Sequence, residues 1–187
     1  MDPIDWRGLA DTLETITWTD YGHRESGGTN IACNALVEIV GDTALRDAVD
    51  FYVSGRPGFE VARSVLWLLR PPVAMERCRE IYRTSDDDQQ AADAINLLQV
   101  VADRRVLEWI PEFLASENVS VRLWGLGIVD QLLIMQEEIE FAEALPLLET
   151  GLRDPVEAVR SQAQQILDMA TEQQVLDKAA EQRDPPL

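Results

Sequence analysis

VARSVLWLL, residues 61–69, is the stretch that decides the fold. Its apolar residues stand four, five, seven and eight positions after Val61, a spacing that places them on one side of an α-helix. The same offsets recur, with mostly apolar or small residues, after Gln90, Val121 and Val159, and more weakly after Ile31, where Glu38 interrupts the pattern. The starts at Val61, Gln90, Val121 and Val159 are 29, 31 and 38 residues apart. Self-similarity at this spacing predicts stacked helical repeats.

Each repeated helix is followed by a second helix that carries one large apolar residue. These residues are Phe51, Ile81, Phe113 and Leu148. A helix pair of about 30 to 40 residues cannot bury its apolar stripe alone, so neighbouring pairs must share a core. We therefore expect an all-α fold, a short right-handed α-solenoid of about four to five helix pairs.

The predicted organisation is a single domain over residues 1–187. An amphipathic capping helix is expected over 1–20, the repeats over 30–170 and a further helix over 172–183, with fraying after it. The segment from Leu133 to Phe141, around Gln136, lengthens the last repeat and should be the least regular part.

Composition limits the classes of function. There are 16 basic against 34 acidic residues, a net charge of −18, which argues against nucleic acids and anionic membranes as partners because Lys and Arg drive both kinds of binding. The start of the chain does not have the pattern of a secretory signal, and the two cysteines are too few for a disulfide framework, so we expect a cytoplasmic protein. With His23 as its one histidine, the chain is expected to have no metal, no cofactor and no catalytic residues.

Acidic residues recur at matching positions of the second helices and predict an acidic ladder on the concave side of the solenoid. The ladder consists of Asp50, Glu76, Glu80, Glu108, Glu112 and Glu143, with Asp47 in the adjoining row. Trp109 stands beside it, where the repeat needs no aromatic core residue. Charge speeds the encounter of proteins and a Trp supplies affinity, so these residues are a candidate site for a basic partner. The alternative is an ordinary solvated helix face.

Four other features have simpler interpretations. The stretch from Tyr21 to Asn30 is expected to be a flexible connection with Thr29 or Asn30 capping the next helix, since no strand or P-loop Lys gives its glycines a phosphate-binding context. Asp86-Asp87-Asp88 is expected to cap a helix rather than to bind a cation. Cys78 lies on an apolar stripe and is expected in the core. Trp67 and Trp124 are expected to pack against neighbouring repeats, although either could be an exposed anchor.

The segment Ala144-Leu145-Pro146-Leu147-Leu148, followed by Leu152-Arg153-Asp154-Pro155 and then Val159-Arg160, resembles the HEAT repeat and its bacterial HEAT-like (PBS lyase HEAT-like) relatives. Ile110-Pro111 and Val121-Arg122 match the same pattern more loosely. The resemblance covers roughly residues 30–170. It implies an α-solenoid that serves as a binding surface rather than as an enzyme.

Three functions follow from the charge and the resemblance. The first is an immunity or inhibitor protein that binds and neutralises a basic bacterial toxin, since small acidic HEAT-like proteins resemble such inhibitors and attraction speeds capture. The second is a scaffold or adaptor for an endogenous protein. The third is an enzyme subunit similar to the bilin lyases. Two other HEAT-like enzyme classes are disfavoured. The hydroxylases would need paired His-Glu motifs, whereas this chain has one histidine, and the DNA glycosylases would need a basic face, whereas the predicted face is acidic.

Overall fold

The structure is a computed structural model, and it describes residues 4–135 and 138–181. Helices make up most of this part, which confirms the predicted predominance of α-structure. The chain divides into two compact units, Met1–Cys78 and Arg79–Leu187. The boundary falls inside helix α5, Pro72–Thr84. We describe each unit by itself, and the single domain and the right-handed solenoid stay predictions.

The first unit contains α1 (Trp6–Thr12), β1 (Ile16–Thr19), β2 (Gly22–Glu25), α2 (Thr29–Val40), α3 (Asp42–Val53) and α4 (Phe59–Leu69). Helices α2, α3 and α4 all contact one another. The carboxylate of Asp5 caps α1 by accepting a hydrogen bond from the Gly8 N–H at 3.0 Å, and Gly41, with a φ of 78°, forms the tight junction between α2 and α3. The core of this unit consists of Leu45, Val49, Tyr52, Val53, Leu66, Leu69, Ala74, Met75 and Cys78.

The expected helix over residues 1–20 and the expected loop from Tyr21 to Asn30 are wrong in part. Helix α1 ends at Thr12, and β1 and β2 form an antiparallel hairpin in which Thr19 pairs with Gly22. The β1 sequence Ile-Thr-Trp-Thr consists of β-branched and aromatic residues, which favour an extended backbone over a helix. The expected cap at Thr29 or Asn30 is also wrong. The residue at the N-cap position of α2 is Gly28, so no side chain caps this helix.

The second unit continues from α5 through α6 (Asp88–Val101), a 3-10 helix (Arg104–Glu108), α7 (Ile110–Leu114), α8 (Val119–Asp130), a π-helix (Gln131–Met135), α9 (Phe141–Leu152) and α10 (Glu157–Glu181). Helix α8 lies at its centre, in contact with α6, α7, α9 and α10. The fit around α8 is close, because a Cβ added at Gly151 of α9 would lie 2.9 Å from the Cβ of Ala163 and 3.0 Å from a methyl of Leu126. The helix expected over 172–183 is not separate, since α10 is continuous from Glu157 to Glu181.

The segment from Leu133 to Phe141 contains part of the π-helix, an irregular form consistent with the expectation for this region. Residues 136–137, and the fraying expected from Asp184 onward, lie outside the described residues.

Two turns of the second unit, before α8 and before α10, have matching arginine contacts. Arg122 donates to the carbonyl oxygens of residues six and five positions before it, Ser116 at 2.8 Å and Glu117 at 3.1 Å. Arg160 makes the same two contacts, at 2.8 Å each, with Asp154 and Pro155. Each arginine thereby satisfies carbonyls in the turn that precedes its own helix. The Val-Arg pairs at 121–122 and 159–160 therefore mark two copies of one turn.

The apolar stripes predicted from the sequence differ in burial between the two units. The predicted stripe of α6, at Ala94, Ile95, Leu97 and Leu98, is fully buried, and so is that of α8. The stripe of α4 is covered only in part, since Leu66 and Leu69 are buried whereas Val65 and Leu68 are exposed. Helices α2 and α3 contact α4, and the buried face that includes Leu66 and Leu69 lies to one side of the predicted stripe. The expectation that all four positions lie in the core is therefore wrong for α4.

Candidate protein-binding surfaces

The first part of the predicted acidic ladder lies in the Met1–Cys78 unit. Asp50 of α3 accepts two hydrogen bonds from the Arg77 guanidinium of α5, from Nε at 2.7 Å and from Nη2 at 3.2 Å. This bidentate geometry holds the carboxylate in place and neutralises it locally. Asp47 and Glu76 are exposed. The local charge here is therefore weaker than the sequence pattern indicated.

Glu112 of α7 is the most strongly paired member of the ladder. The Arg83 guanidinium of α5 donates to its carboxylate oxygens at 2.8 and 2.6 Å, and Arg79 lies 3.8 Å away. The hydrogen bond from Arg83 lowers the pKa of Glu112, and the charges of Arg83 and Arg79 act in the same direction. The carboxylate is thus tied into an ion pair within its own unit.

Glu143, near the start of α9, serves the fold in two ways. One carboxylate oxygen pairs with the Arg104 guanidinium, and the other accepts a hydrogen bond from the Glu140 N–H at 3.0 Å. The second contact belongs to a capping box that closes the first turn of α9. Glu80 and Glu108 of the ladder are exposed in the same unit.

The structure contradicts the expectation that Trp109 is an exposed anchor. Trp109 is only 7% exposed, and the Arg79 guanidinium lies over its ring, 4.3 Å from the centroid. This cation–π contact adds to the burial of the indole. The residue before α7 thus belongs to the core of its unit. Sequence reasoning missed this because Arg79 and Trp109 are 30 positions apart.

On α4, the repeated apolar stripe predicted Val65 and Leu68 to lie in the core, and Trp67 was expected to pack against a neighbouring repeat. On α4, Val61, Trp67 and Leu68 are 69%, 62% and 63% exposed, and Val65 is also exposed. Val61, Val65 and Leu68 are spaced by four and three residues and so lie on one stripe. Trp67 projects about 100° around the helix from Leu68 and is exposed beside that stripe. This surface, the α4 apolar face, departs from an ordinary charged helix surface.

Trp18 and Tyr21 of the hairpin are also exposed. The Trp18 ring contacts Arg7, whose guanidinium lies 5.3 Å from the ring centroid, and the ring of His23, 5.4 Å away. Of the two Trp residues expected to pack, Trp67 is exposed and Trp124 is half-buried. For Trp67 the expectation of packing is wrong.

A cleft of about 430 Å³ separates α1 from α2. Its walls include the apolar side chains of Ile4, Leu9 and Ile39 and the acidic residues Asp5 and Glu38. A mixture of apolar walls and a few placed polar groups is typical of a binding cleft.

The two cysteines differ in burial. Cys78 is fully buried, as expected, and burial raises the pKa of its thiol, which disfavours the nucleophilic thiolate. Cys33 is half-buried. In residues 4–135 and 138–181, no group of three or more His, Cys, Asp or Glu side chains is placed to hold a metal ion. No helix in that part of the chain has the length and apolar character needed to cross a membrane.

Comparison of the chain with protein-family models, with curated proteins and with solved structures gives no match.

Proposed function

We propose that the chain is a non-catalytic protein-binding module that takes a basic protein partner on the Met1–Cys78 unit. The observation that carries the proposal is the α4 apolar face, where Val61, Val65, Trp67 and Leu68 are exposed together. Scattered exposed apolar residues are common, but a group of them on one helix marks an interaction surface.

The energy that this face offers to a partner is considerable. Full burial of one Val, Leu or larger side chain stabilises an association by about 1.5–3 kcal/mol. Trp67 adds a residue type that is enriched among those that dominate interface energies. A partner covering the α4 apolar face therefore has enough favourable contacts to offset the ordering of side chains on binding.

The charge of the chain supports a basic partner. A net charge of −18 attracts a basic protein from a distance and repels acidic ones, so it raises the association rate and narrows the range of partners. The apolar contacts then hold the complex together. In this proposal, charge speeds association and a separate apolar surface holds the complex. The sequence had predicted one site, formed by the acidic ladder and Trp109, for both roles.

Within this class we propose an inhibitor of the immunity type, which binds a basic toxin domain and blocks its action. Fast capture of a basic target suits an acidic protein with an apolar contact surface. A scaffold or adaptor for an endogenous partner has the same binding chemistry but leaves the activity of its partner intact.

The test starts with cross-linking in the native cell and identification of the captured protein by mass spectrometry. The captured protein is then purified, and its affinity is measured for the wild-type protein, for Leu68→Ser and for the matched control Tyr21→Ser, which changes an exposed residue of the hairpin. We expect Leu68→Ser to raise Kd about tenfold, from loss of about 1.4 kcal/mol of apolar burial, and the control to leave Kd unchanged.

Equal affinities of all three proteins for the captured partner would contradict the role of the α4 apolar face. Failure of the wild-type protein to capture any protein would contradict the binding function itself. An activity assay of the purified partner separates the two roles, because an inhibitor abolishes that activity and an adaptor does not.

A further inference from the structure

The cleft between α1 and α2 combines apolar walls with negative charge. Ile4, Leu9 and Ile39 line it together with Asp5 and Glu38, and none of the described lining residues is cationic. Long cationic side chains bury an aliphatic stem and keep the charged head near water or an anion. The cleft therefore has the chemistry that a lysine or arginine side chain needs.

The carboxylate of Glu38 has no partner among the described residues. Glu38 is exposed, and no hydrogen bond or ion pair within the described residues involves its side chain. Asp5 uses one carboxylate oxygen to cap α1. Arg7, two residues after Asp5, pairs with Asp11 at 3.2 Å. A partner's cation would therefore not have to displace an existing ion pair at Glu38.

Helix α2 supplies apolar surface beside the cleft. Its sequence TNIACNALVEIV has Glu38 as its one charged residue, yet none of its side chains is buried, and Leu36, Ile39 and Val40 are among the exposed apolar residues. A helix that is apolar on most of its surface is normally covered on most sides. This one is left open beside an acidic cleft.

The geometry points to a docking site for a cationic amphipathic helix of a partner protein. The apolar side of that helix covers Leu36 and Ile39, and one of its lysine or arginine side chains enters the cleft with its head at Glu38. This inference rests on the proposed function and gives the partner a chemistry. A second copy of this chain fits less well, because it would bring a further charge of −18 to a cleft that is already negative, and an anionic lipid surface is repelled for the same reason.

The experiment uses the full-length protein labelled with nitrogen-15 and a synthetic 14-residue peptide of leucine and lysine in an amphipathic helical pattern. Two control peptides have glutamate in place of lysine, or the same leucines and lysines in scrambled order. We expect the amphipathic cationic peptide to shift the amide resonances of Gly8, Glu38 and Ile39 and the control peptides to leave them in place.

Variants then measure the two parts of the contact. Glu38→Gln should raise the Kd of the cationic peptide about two- to fivefold, the range of a partly exposed ion pair. Ile39→Ser should raise it about fivefold or more through lost apolar contact. The matched control Glu117→Gln removes one exposed carboxylate from the second unit and should change Kd by less than either variant. Amide spectra of all the variants show whether each remains folded.

Three results would overturn the inference: amide shifts confined to other parts of the chain, an equal effect of Glu38→Gln and Glu117→Gln, or cationic-peptide binding that Ile39→Ser does not weaken. Sedimentation of the wild-type protein as a dimer that Ile39→Ser dissociates would assign the site to a second copy, and co-flotation with phosphatidylglycerol vesicles would assign it to a membrane. If the captured partner binds the cleft variants as it binds the wild-type protein but loses affinity for Leu68→Ser, the cleft inference fails and the proposed function stands.

Discussion

Replacement of Asp154 with alanine removes one side of the ion pair between Arg122 of α8 and the turn before α10. Arg122 donates from Nε at 2.7 Å and from Nη2 at 3.3 Å to the two carboxylate oxygens. The side chains of Arg122 and Asp154 are 9% and 8% exposed. Asp154 also accepts a hydrogen bond from the Val156 N–H at 2.8 Å. The change therefore leaves a buried guanidinium without its counter-charge and an uncapped turn.

The expected loss of stability for Asp154→Ala is about 3–5 kcal/mol, the range observed when one partner of a buried pair is removed. In this variant the carbonyl oxygens of Ser116 and Glu117 still accept hydrogen bonds from Arg122, so the guanidinium keeps part of its hydrogen bonding and the loss of stability stays within this range. The double variant with Arg122→Met should lose less than the sum of the two single changes, with a coupling of about 0.5–3 kcal/mol, because no unpaired charge remains buried.

The assay is equilibrium unfolding in urea at pH 7, followed by far-ultraviolet circular dichroism. Arg153→Ala is the matched control, since Arg153 forms an ion pair with Glu149 at 3.0 Å that is largely exposed to solvent, and its loss should cost no more than about 0.5 kcal/mol. The reasoning is refuted if Asp154→Ala loses no more than the control, or if the effects of the two single changes add fully in the double variant.

Three further changes test other features. Trp109→Ala should cost about 3–5 kcal/mol of unfolding free energy in the same assay because the indole is a core residue, and a stability equal to wild type would restore Trp109 as a surface residue. Burial raises the pKa of Asp130, so the free energy of unfolding falls as the pH rises from the ordinary pKa of an aspartate, about 3.9, through the raised pKa of the folded state. Asp130→Asn should therefore be more stable than the wild type at pH 7 in the same assay and lose that advantage below about pH 4. Arg83→Gln should return the lowered pKa of Glu112 toward its ordinary range, and a carbon-13 titration in which the Glu112 pKa stays unchanged would rule out Arg83 as the cause.

The sequence by itself determined that the chain is mostly helical and that the turns before α8 and α10 match. Apolar spacing identifies the side of a helix that can be buried, and this sufficed for the fully buried stripes of α6 and α8. The Val-Arg pairs were equally readable, because each arginine contacts carbonyls only five and six residues away. Both signals are local, so no knowledge of distant neighbours is needed to read them.

The candidate ladder was readable only as a set of exposed helix positions. Its charge was not readable, because the neutralising contacts join residues far apart in the chain, such as Asp50 with Arg77 and Glu112 with Arg83. The hairpin was missed for a different reason, since its strands are short, its first strand was assigned to the end of a helix and its second strand was assigned to a loop.

The tertiary structure alone decided which apolar sides are covered. The stripe of α4 follows the same spacing as that of α8, yet Leu68 is exposed whereas Ile128 is buried. Helix α8 has neighbours on several sides within its unit, whereas α4 has α2 and α3. Periodicity specifies the direction in which a side chain leaves its helix, and only the arrangement of neighbouring elements determines whether it meets protein or solvent there.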